Sequence, residues 1–209
     1  MEGIYIPTKE EFIRGINEFE KHEKRDAMYK VATFLISYFW GNPSDMADGL
    51  GVLLLTWNQA FYRYGNFDFD KLEKCIRNNL KNLKNFRTRS ITSLSKTDEP
   101  DIKAMFDEFM ETLQIASGSM LGRKSPVAVA KALHLLAPNF FPLWDDQIAK
   151  VYRCYYNNNP AEKYIQFMKL MRKFVERVKD YVYSLNYPDK TLLKLIDEYN
   201  YSKYTKKWI

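Results

Sequence analysis

The chain has 209 residues, of which 46% are hydrophobic and 16% aromatic, and its formal net charge at pH 7 is +6. A chain of this length can bury one good core, and this supply of apolar side chains excludes a disordered protein. The positive charge favours an anionic partner, although a moderate excess of cations is only a weak indication of nucleic-acid binding.

Apolar periodicity and capping residues predict helices along the whole chain. The first begins after Thr8, which forms a capping box with Glu11, and runs to about His22. Further helices are predicted over residues 25–40, 45–64, 71–86, 101–116, 125–136, 145–156, 161–185 and 190–199. The polar stretch 87–100 is predicted to be an exposed loop. No alternating strand pattern and no internal repeat occur, so the predicted fold class is all-α.

The predicted helix 71–86 carries two parallel stripes of side chains at helical spacing. The apolar stripe consists of Leu72, Ile76, Leu80 and Leu83. The basic stripe beside it consists of Lys74, Arg77, Lys81 and Lys84, and Arg87 follows it. Because Glu73 is the only acid in this stretch, the stripe is interpreted as a phosphate-facing surface. The alternative is an ordinary solvated helix face.

Cys75 and Cys154 are the only cysteines, and they are far apart in the sequence. This argues against a thiolate metal site, an iron–sulfur cluster and a disulfide framework, so we expect no metal and no cofactor. His134 falls inside an apolar helix and is expected to be a satisfied core residue. Residues 1–5 lack the pattern of a signal peptide, and no apolar run reaches the length of a membrane span. We therefore expect a cytoplasmic monomer without membrane contact.

The last residues, Tyr201 to Trp208, mix cations with aromatic side chains. Such a composition is compatible with a segment that lies on nucleic acid. Packing of the aromatic rings on the core explains it equally well.

Two segments between residues 112 and 155 carry a resemblance to a known family. The first is Gly122-Arg123-Lys124-Ser125, which precedes a helix of small and aliphatic residues. The second is Trp144-Asp145-Asp146-Gln147-Ile148-Ala149-Lys150-Val151. Together they resemble the hairpin and the aspartate-bearing segment of the helix-hairpin-helix DNA glycosylases, especially the endonuclease III and 8-oxoguanine glycosylase branches. The second segment matches the family pattern at Asp145, Ile148, Lys150 and Val151.

The resemblance implies a helical bundle of that superfamily. The chain then forms a single domain over residues 1–209, with two helical subdomains and a cleft as a further possibility (30–120, and 1–29 together with 121–209). The resemblance also implies roles for individual residues. Lys124 and Asp145 are the implied catalytic pair, and Gly122, Arg123 and Ser125 are implied phosphate contacts. Asn58 and Gln59 resemble the wedge that fills the gap left by a flipped base, while Trp144, Phe140 and Asp146 are the implied base pocket.

Two features depart from the family pattern. Met120-Leu121-Gly122 stands where the family has Gly-Val-Gly, and the separation between Lys124 and Asp145 is longer than usual. The longer separation still permits a shared site. A helix over 125–136 carries the chain away by roughly 18 Å, and the eight residues 137–144 reach back about 26 Å when extended.

The implied activity is that of a DNA glycosylase with associated lyase activity, which excises a damaged, for example oxidised, base from double-stranded DNA. Asp145 would stabilise the positive sugar that develops as the glycosidic bond breaks. A neutral Lys124 amine would attack the sugar carbon and form a Schiff base. Singly, each residue has a simpler explanation, because Asp145 is also a good helix N-cap and Lys124 an ordinary surface lysine. A non-catalytic DNA-binding module and a helical protein-interaction domain remain the alternatives.

Overall fold

The computed structural model describes residues 5–182, 187 and 189–209, and within them the protein is all-α without any strand. Ten α-helices follow one another along these described residues: α1 Lys9–His22, α2 Ala27–Tyr38, α3 Pro43–Trp57, α4 Gln59–Tyr62, α5 Phe69–Arg87, α6 Glu99–Thr112, α7 Pro126–Leu136, α8 Asp146–Val151, α9 Pro160–Val182 and α10 Leu192–Asn200. A π-helical turn, Tyr201–Thr205, continues α10. The all-α prediction is confirmed.

Capping side chains set where several of these helices begin. Thr8 accepts a hydrogen bond from the Glu11 amide, and Asp68 accepts one from the Lys71 amide. Ser125 caps α7 through the Ala128 amide, and Pro126 occupies the first turn, where no backbone N–H is needed. The predicted starts of these helices are confirmed to within two residues.

The region 87–100 differs from the prediction of an exposed loop. Two short 3-10 turns replace it, Ile91–Ser93 and Lys96–Asp98, and both Ile91 and Leu94 are buried. Arg89 and Asp98 form a two-pronged ion pair with both N–O distances at 2.8 Å. Burial of Ile91 and Leu94 and this ion pair together fix the conformation of a stretch whose sequence is mostly polar.

One hydrophobic cluster joins the helices. It includes Phe12 on α1, Leu54 on α3, Phe106 on α6, Leu133 on α7 and Phe174 on α9. α3 packs against α2 and α5, α1 packs against α10, and α6 packs against α9. Side chains from both predicted subdomains belong to this cluster. The division into subdomains stays a prediction.

Two predictions fall partly on residues outside the described ranges. One is the absence of a signal-peptide pattern in residues 1–5, and the other is the end of the helix predicted over 161–185. Within the described part, no helix combines the length and the apolar character that crossing a membrane requires.

Candidate functional site

A cavity of about 450 Å³ lies where α7, α10, the end of α3 and the α1–α2 loop meet. Its volume falls within the range of roughly 300–1,000 Å³ that is typical of small-molecule sites. Aromatic side chains and charged side chains both contribute to its walls. The walls include Trp57, Lys131, Trp144, Asp145, Lys194, Asp197 and Tyr201, together with Glu23 and Asp26 of the α1–α2 loop.

Lys131 is the one lysine of α7 and points its amine at the end of α3. Its Nζ donates to the Trp57 carbonyl oxygen at 2.9 Å and to the Asn58 side-chain oxygen at 3.2 Å. It also lies 4.8 Å from the centroid of a Trp57 ring. Burial lowers the pKa of Lys131 to about 8, although the carboxylates of Asp197 and Asp145 oppose this shift. A fraction of roughly one tenth of this amine is therefore neutral at pH 7.

Asp145 is held in place by hydrogen bonds to both of its carboxylate oxygens. Oδ1 accepts from the Ile148 amide at 2.7 Å, which makes Asp145 the N-cap of α8. Oδ2 accepts from the Thr205 hydroxyl at 2.6 Å. These two hydrogen bonds fix the orientation of the carboxylate. The sequence-based assignment of Asp145 as an N-cap and its presence at the cavity are compatible with each other.

The acidic side of the cavity is organised around a buried lysine. Lys194 is 2% exposed, and its Nζ lies 3.1 Å from Asp26, 3.6 Å from Glu198 and 3.9 Å from Asp197. Burial first, and then repulsion from Asp145, Glu198 and Asp26, raises the pKa of Asp197 to about 7, while Lys194 opposes this. The cavity walls thus hold four carboxylates and two lysines, namely Glu23, Asp26, Asp145 and Asp197 against Lys131 and Lys194. The interior is therefore unfavourable for a phosphate group and suited to an uncharged or electron-poor group.

The expected meeting of Lys124 and Asp145 is not observed, and this corrects the sequence-based catalytic pair. Lys124 forms an ion pair with Glu111, and it is absent from the walls of the cavity that Asp145 lines. The reason is the point at which α7 begins. Ser125 is the N-cap in an extended conformation, so the chain has left the helical path before Lys124.

The hairpin between α6 and α7 holds the other implied phosphate contacts. Two backbone hydrogen bonds join its arms: the Ile115 amide donates to the Arg123 carbonyl at 2.9 Å, and the Gly122 amide donates to the Ile115 carbonyl at 2.8 Å. Gly122 has a φ of +80°, the left-handed conformation that favours glycine, with open space around it. Arg123 is exposed, whereas Ser125 is buried as the α7 cap. Their contact with DNA stays a prediction.

The implied wedge residues have different surroundings. The Asn58 side chain lies between Lys131 and Ser125. Its oxygen accepts from the Lys131 amine, and its NH2 group donates to the Ser125 hydroxyl at 3.4 Å. Asn58 thus supports the Lys131 amine, and its role as a wedge stays a prediction. Gln59 begins α4 and is exposed.

The implied base-pocket residues are also divided. Trp144 lines the cavity and is 2% exposed, and its indole N–H has no hydrogen-bond partner. Phe140 instead lies in the core, with its ring centroid 4.7 Å from that of Phe86. Asp146 pairs with Lys150 at 2.5 Å on the surface of α8 and does not line the cavity. The expectation for Phe140 and Asp146 is therefore corrected, because the Phe140 side chain fills the core and Asp146 points outward.

The basic stripe of α5 is exposed but lies apart from the cavity. Lys74, Arg77, Lys81 and Lys84 all face solvent, and none of them contributes to the cavity walls. Arg77 forms an ion pair with Glu73. Arg87 is different, since it donates to the Leu136 carbonyl at 2.8 Å and lies 4.1 Å over a Trp40 ring. This correction assigns Arg87 to the end of α7, where it satisfies a carbonyl, rather than to DNA.

His134 is buried, as expected of a core residue. Nδ1 lies 2.7 Å from the Phe141 carbonyl and Nε2 lies 3.0 Å from the Tyr29 hydroxyl. The neutral ring satisfies both contacts, by donating from Nδ1 and accepting at Nε2. Burial lowers the pKa of His134 to about 3. Both cysteines are buried and unpaired, and the described residues contain no cluster of three or more His, Cys, Asp or Glu fit for a metal ion.

Sequence reasoning missed Lys131, Asp197 and Thr205. A signal for Lys131 existed, because α7 is apolar on nearly every side and such a helix is buried all round. A lysine in such a helix is at least partly buried, as Lys131 is. Thr205 carried no signal, since it lies 60 positions from Asp145 in a tail without a motif.

Comparison with protein-family models, with curated proteins and with solved structures finds no match to this chain. The helix-hairpin-helix resemblance therefore stays a prediction.

Proposed function

We propose that this protein is a DNA glycosylase with lyase activity whose nucleophile is Lys131 and whose catalytic carboxylate is Asp145. The observation that carries the proposal is the mostly buried Lys131 amine, with a pKa of about 8, in a cavity that Asp145 also lines. A buried amine with a lowered pKa is the usual arrangement for Schiff-base chemistry. DNA as the substrate rests on the sequence resemblance over residues 112–155 and on the net charge of +6.

The cavity would receive a nucleotide turned out of the duplex, since the glycosidic bond is inaccessible in stacked DNA. Trp57 and Trp144 supply aromatic walls for a base. Trp144 is fixed by a stacked contact with Phe167, at 6.0 Å between ring centroids. The excess of carboxylates keeps phosphates out of the cavity and leaves them at its mouth.

The chemistry follows from the two groups. As the bond between C1′ and the base breaks, the base leaves with the bonding electrons and takes up a proton. Asp145 stabilises the positive charge on the sugar. The neutral Lys131 amine adds to C1′ and loses a proton, and opening of the sugar ring gives a Schiff base. Elimination of the 3′ phosphate from that Schiff base would cleave the strand.

Borohydride trapping tests the proposal. Duplexes with 8-oxoguanine, uracil, thymine glycol, an alkylated purine or an abasic site are incubated with protein and sodium borohydride, which reduces a Schiff base to a stable amine. We expect a covalent adduct with wild type and with Lys124→Gln, and none with Lys131→Gln. An adduct retained by Lys131→Gln contradicts the assignment of the nucleophile. Absence of both adduct and base release with every duplex contradicts the proposed function.

A protein-interaction domain is the second candidate, because α2 exposes apolar side chains on one face. Val31 is 50% exposed, Phe34 67% and Tyr38 75%. Exposed apolar patches of this kind often mark protein contacts. Negligible affinity for duplex DNA even at low salt, where phosphate contacts are strongest, would favour this candidate.

A further inference from the structure

We infer that duplex DNA binds through a basic rim at the mouth of the cavity, formed by Lys24 and Arg25 of the α1–α2 loop and by Lys206 and Lys207 of the C-terminal segment. The inference rests on the proposed function, and it assigns the phosphate-binding surface to a part of the molecule other than the basic stripe of α5.

The two segments lie side by side although they are far apart in sequence. The ring of His22, at the end of α1, stacks on Trp208 with 4.1 Å between centroids and 10° between planes. Trp208 in turn packs edge-on against Tyr201 at 5.9 Å. The loop 23–26 and residues 206–207 each adjoin one partner of this stack. The stack therefore joins the four cations into one surface.

This surface borders the cavity. Lys24 and Arg25 stand in the chain between Glu23 and Asp26, which both line the cavity. Consecutive Cα atoms are about 3.8 Å apart, so these two cations begin one residue from the wall. On the other side, the Lys206 amine lies 5.5 Å from the ring centroid of Tyr201, another wall residue.

The rim cations are free to bind phosphates. All four side chains are exposed, and within the described part of the chain none of them forms an ion pair. The neighbouring Asp26 forms an ion pair with Lys194 at 3.1 Å, and Glu11 forms one with Lys203. Glu23 remains as one acid among four cations, so the rim carries a local excess of positive charge.

The backbone of the rim is held in an unusual conformation on both sides. Asp26 has a φ of +39° and Lys207 a φ of +56°, the left-handed region that side chains other than glycine rarely adopt. The C-terminal turn is closed by hydrogen bonds from the Lys206 amide to the Tyr201 carbonyl and from the Trp208 amide to the Ser202 carbonyl, both at 2.8 Å. Left-handed residues concentrate where the surrounding structure imposes a functional geometry. Here that geometry presents Lys206 and Lys207 outward.

The rim also explains how a DNA strand would approach a cavity that has an excess of carboxylates. The cavity holds four carboxylates and two lysines, so a DNA strand can approach it only if cations near the opening bind the phosphates. The basic stripe of α5 is placed less well for this purpose. Among the described residues, none of its members is a chain neighbour of a wall residue, as Lys24 and Arg25 are, and none lies over a wall residue's ring, as Lys206 does. The phosphates on either side of an extruded nucleotide would then bind to the cations of the rim.

The salt dependence of DNA binding tests the inference. The probe is a duplex with a tetrahydrofuran abasic-site analogue, which has no aldehyde and forms no Schiff base. Two variants with the same loss of charge are compared: Lys24→Gln with Arg25→Gln, Lys206→Gln and Lys207→Gln, and Lys74→Gln with Arg77→Gln, Lys81→Gln and Lys84→Gln. Fluorescence anisotropy gives the affinity between 50 and 200 mM salt, and thermal unfolding by circular dichroism confirms that both variants fold.

Each phosphate contact contributes about 0.9 to the slope of log affinity against log salt concentration. Loss of four contacts lowers that slope by about 3.6, so the wild type should lose about 150-fold more affinity than the rim variant over this fourfold range of salt. We expect this change in the rim variant and a slope near the wild-type value in the α5 variant. The inference is overturned if both variants change the slope equally or if the α5 variant changes it more. It is also overturned if the slope of the rim variant differs from that of wild type by less than one contact, about 0.9.

The inference and the proposed function fail in different ways. Borohydride trapping of the wild type, together with an unchanged salt slope in the rim variant, rejects the rim and leaves the glycosylase proposal intact. A wild type that neither binds the duplex at low salt nor forms an adduct rejects both.

Discussion

The pH dependence of the Lys131 amine is the most direct consequence of the structure. With a pKa of about 8, the neutral fraction rises from roughly 9% at pH 7 to roughly 90% at pH 9. The rate of amine chemistry should therefore rise about tenfold over these two units and level off. An exposed lysine with a pKa of about 10.4 would gain about a hundredfold over the same range without a plateau.

The measurement needs no DNA substrate. The protein is briefly treated with formaldehyde and cyanoborohydride at a series of pH values, and mass spectrometry of its peptides gives the methylation rate of each lysine. We expect the midpoint for Lys131 near pH 8, below the value of about 10.4 that is ordinary for an exposed lysine. The same series with abasic duplex and borohydride should give an adduct rate with the Lys131 midpoint.

Asp197 offers an internal check on the cause of the shift. Its carboxylate opposes the effect of burial and raises the pKa of Lys131. Removal of that charge in Asp197→Asn should therefore move the Lys131 midpoint to lower pH. A wild-type midpoint above pH 10, or a midpoint that rises in Asp197→Asn, would refute the reasoning that burial controls this amine.

Three further predictions concern the support of the site and of the fold. Thr205→Val removes a hydrogen-bond donor to Asp145, so single-turnover base release should slow by about 10- to 100-fold while the DNA affinity is unchanged. Thr205→Ser should restore the rate. A loss of binding with no change in rate would contradict the positioning role of Thr205. His134 has a folded pKa of about 3 against an ordinary value of 6.5, so the unfolded state takes up a proton on this side chain first as the pH falls. The resulting contribution to stability, on the order of 5 kcal/mol, is present above pH 6.5 and is lost as the pH falls towards 3. Urea unfolding should show that the free energy of unfolding falls more between pH 7.5 and pH 4.5 for wild type than for His134→Gln. Equal decreases would contradict this role of His134. Gly118 and Gly122 both have left-handed φ values, +90° and +80°, but only at Gly118 would a Cβ meet a backbone carbonyl. Gly118→Ala should therefore lower the free energy of unfolding by at least 1 kcal/mol more than Gly122→Ala, for which about 1 kcal/mol is expected; similar values would show that the loop relaxes freely.

Local interactions explain which parts of the fold could be predicted from the sequence. Thr8, Asp68, Ser125 and Asp145 each cap a helix through an amide three residues further on. Such contacts depend on neighbours in the chain, so the residue types at these positions determine them. The helical class and most helix starts follow from these caps and from apolar periodicity.

Stretches without a local signal were predicted less well. Residues 87–100 read as a polar loop because most of their side chains are polar. Their order comes from Ile91 and Leu94, which are buried by helices distant in sequence, and from an Arg89–Asp98 pair nine residues apart. No periodicity announces contacts of this kind.

The site itself shows where sequence and tertiary structure divide. The sequence determined that Asp145 begins a helix and that the segment around Lys124 precedes one. Only the tertiary structure decided which lysine shares a cavity with Asp145, because that depends on where α7 begins and on what packs against it. Asn58 reaches Lys131 across 73 positions, and Thr205 reaches Asp145 across 60. Burial, which lowers the pKa of Lys131, is a property of the whole core and arises only when the helices that enclose this side chain have assembled.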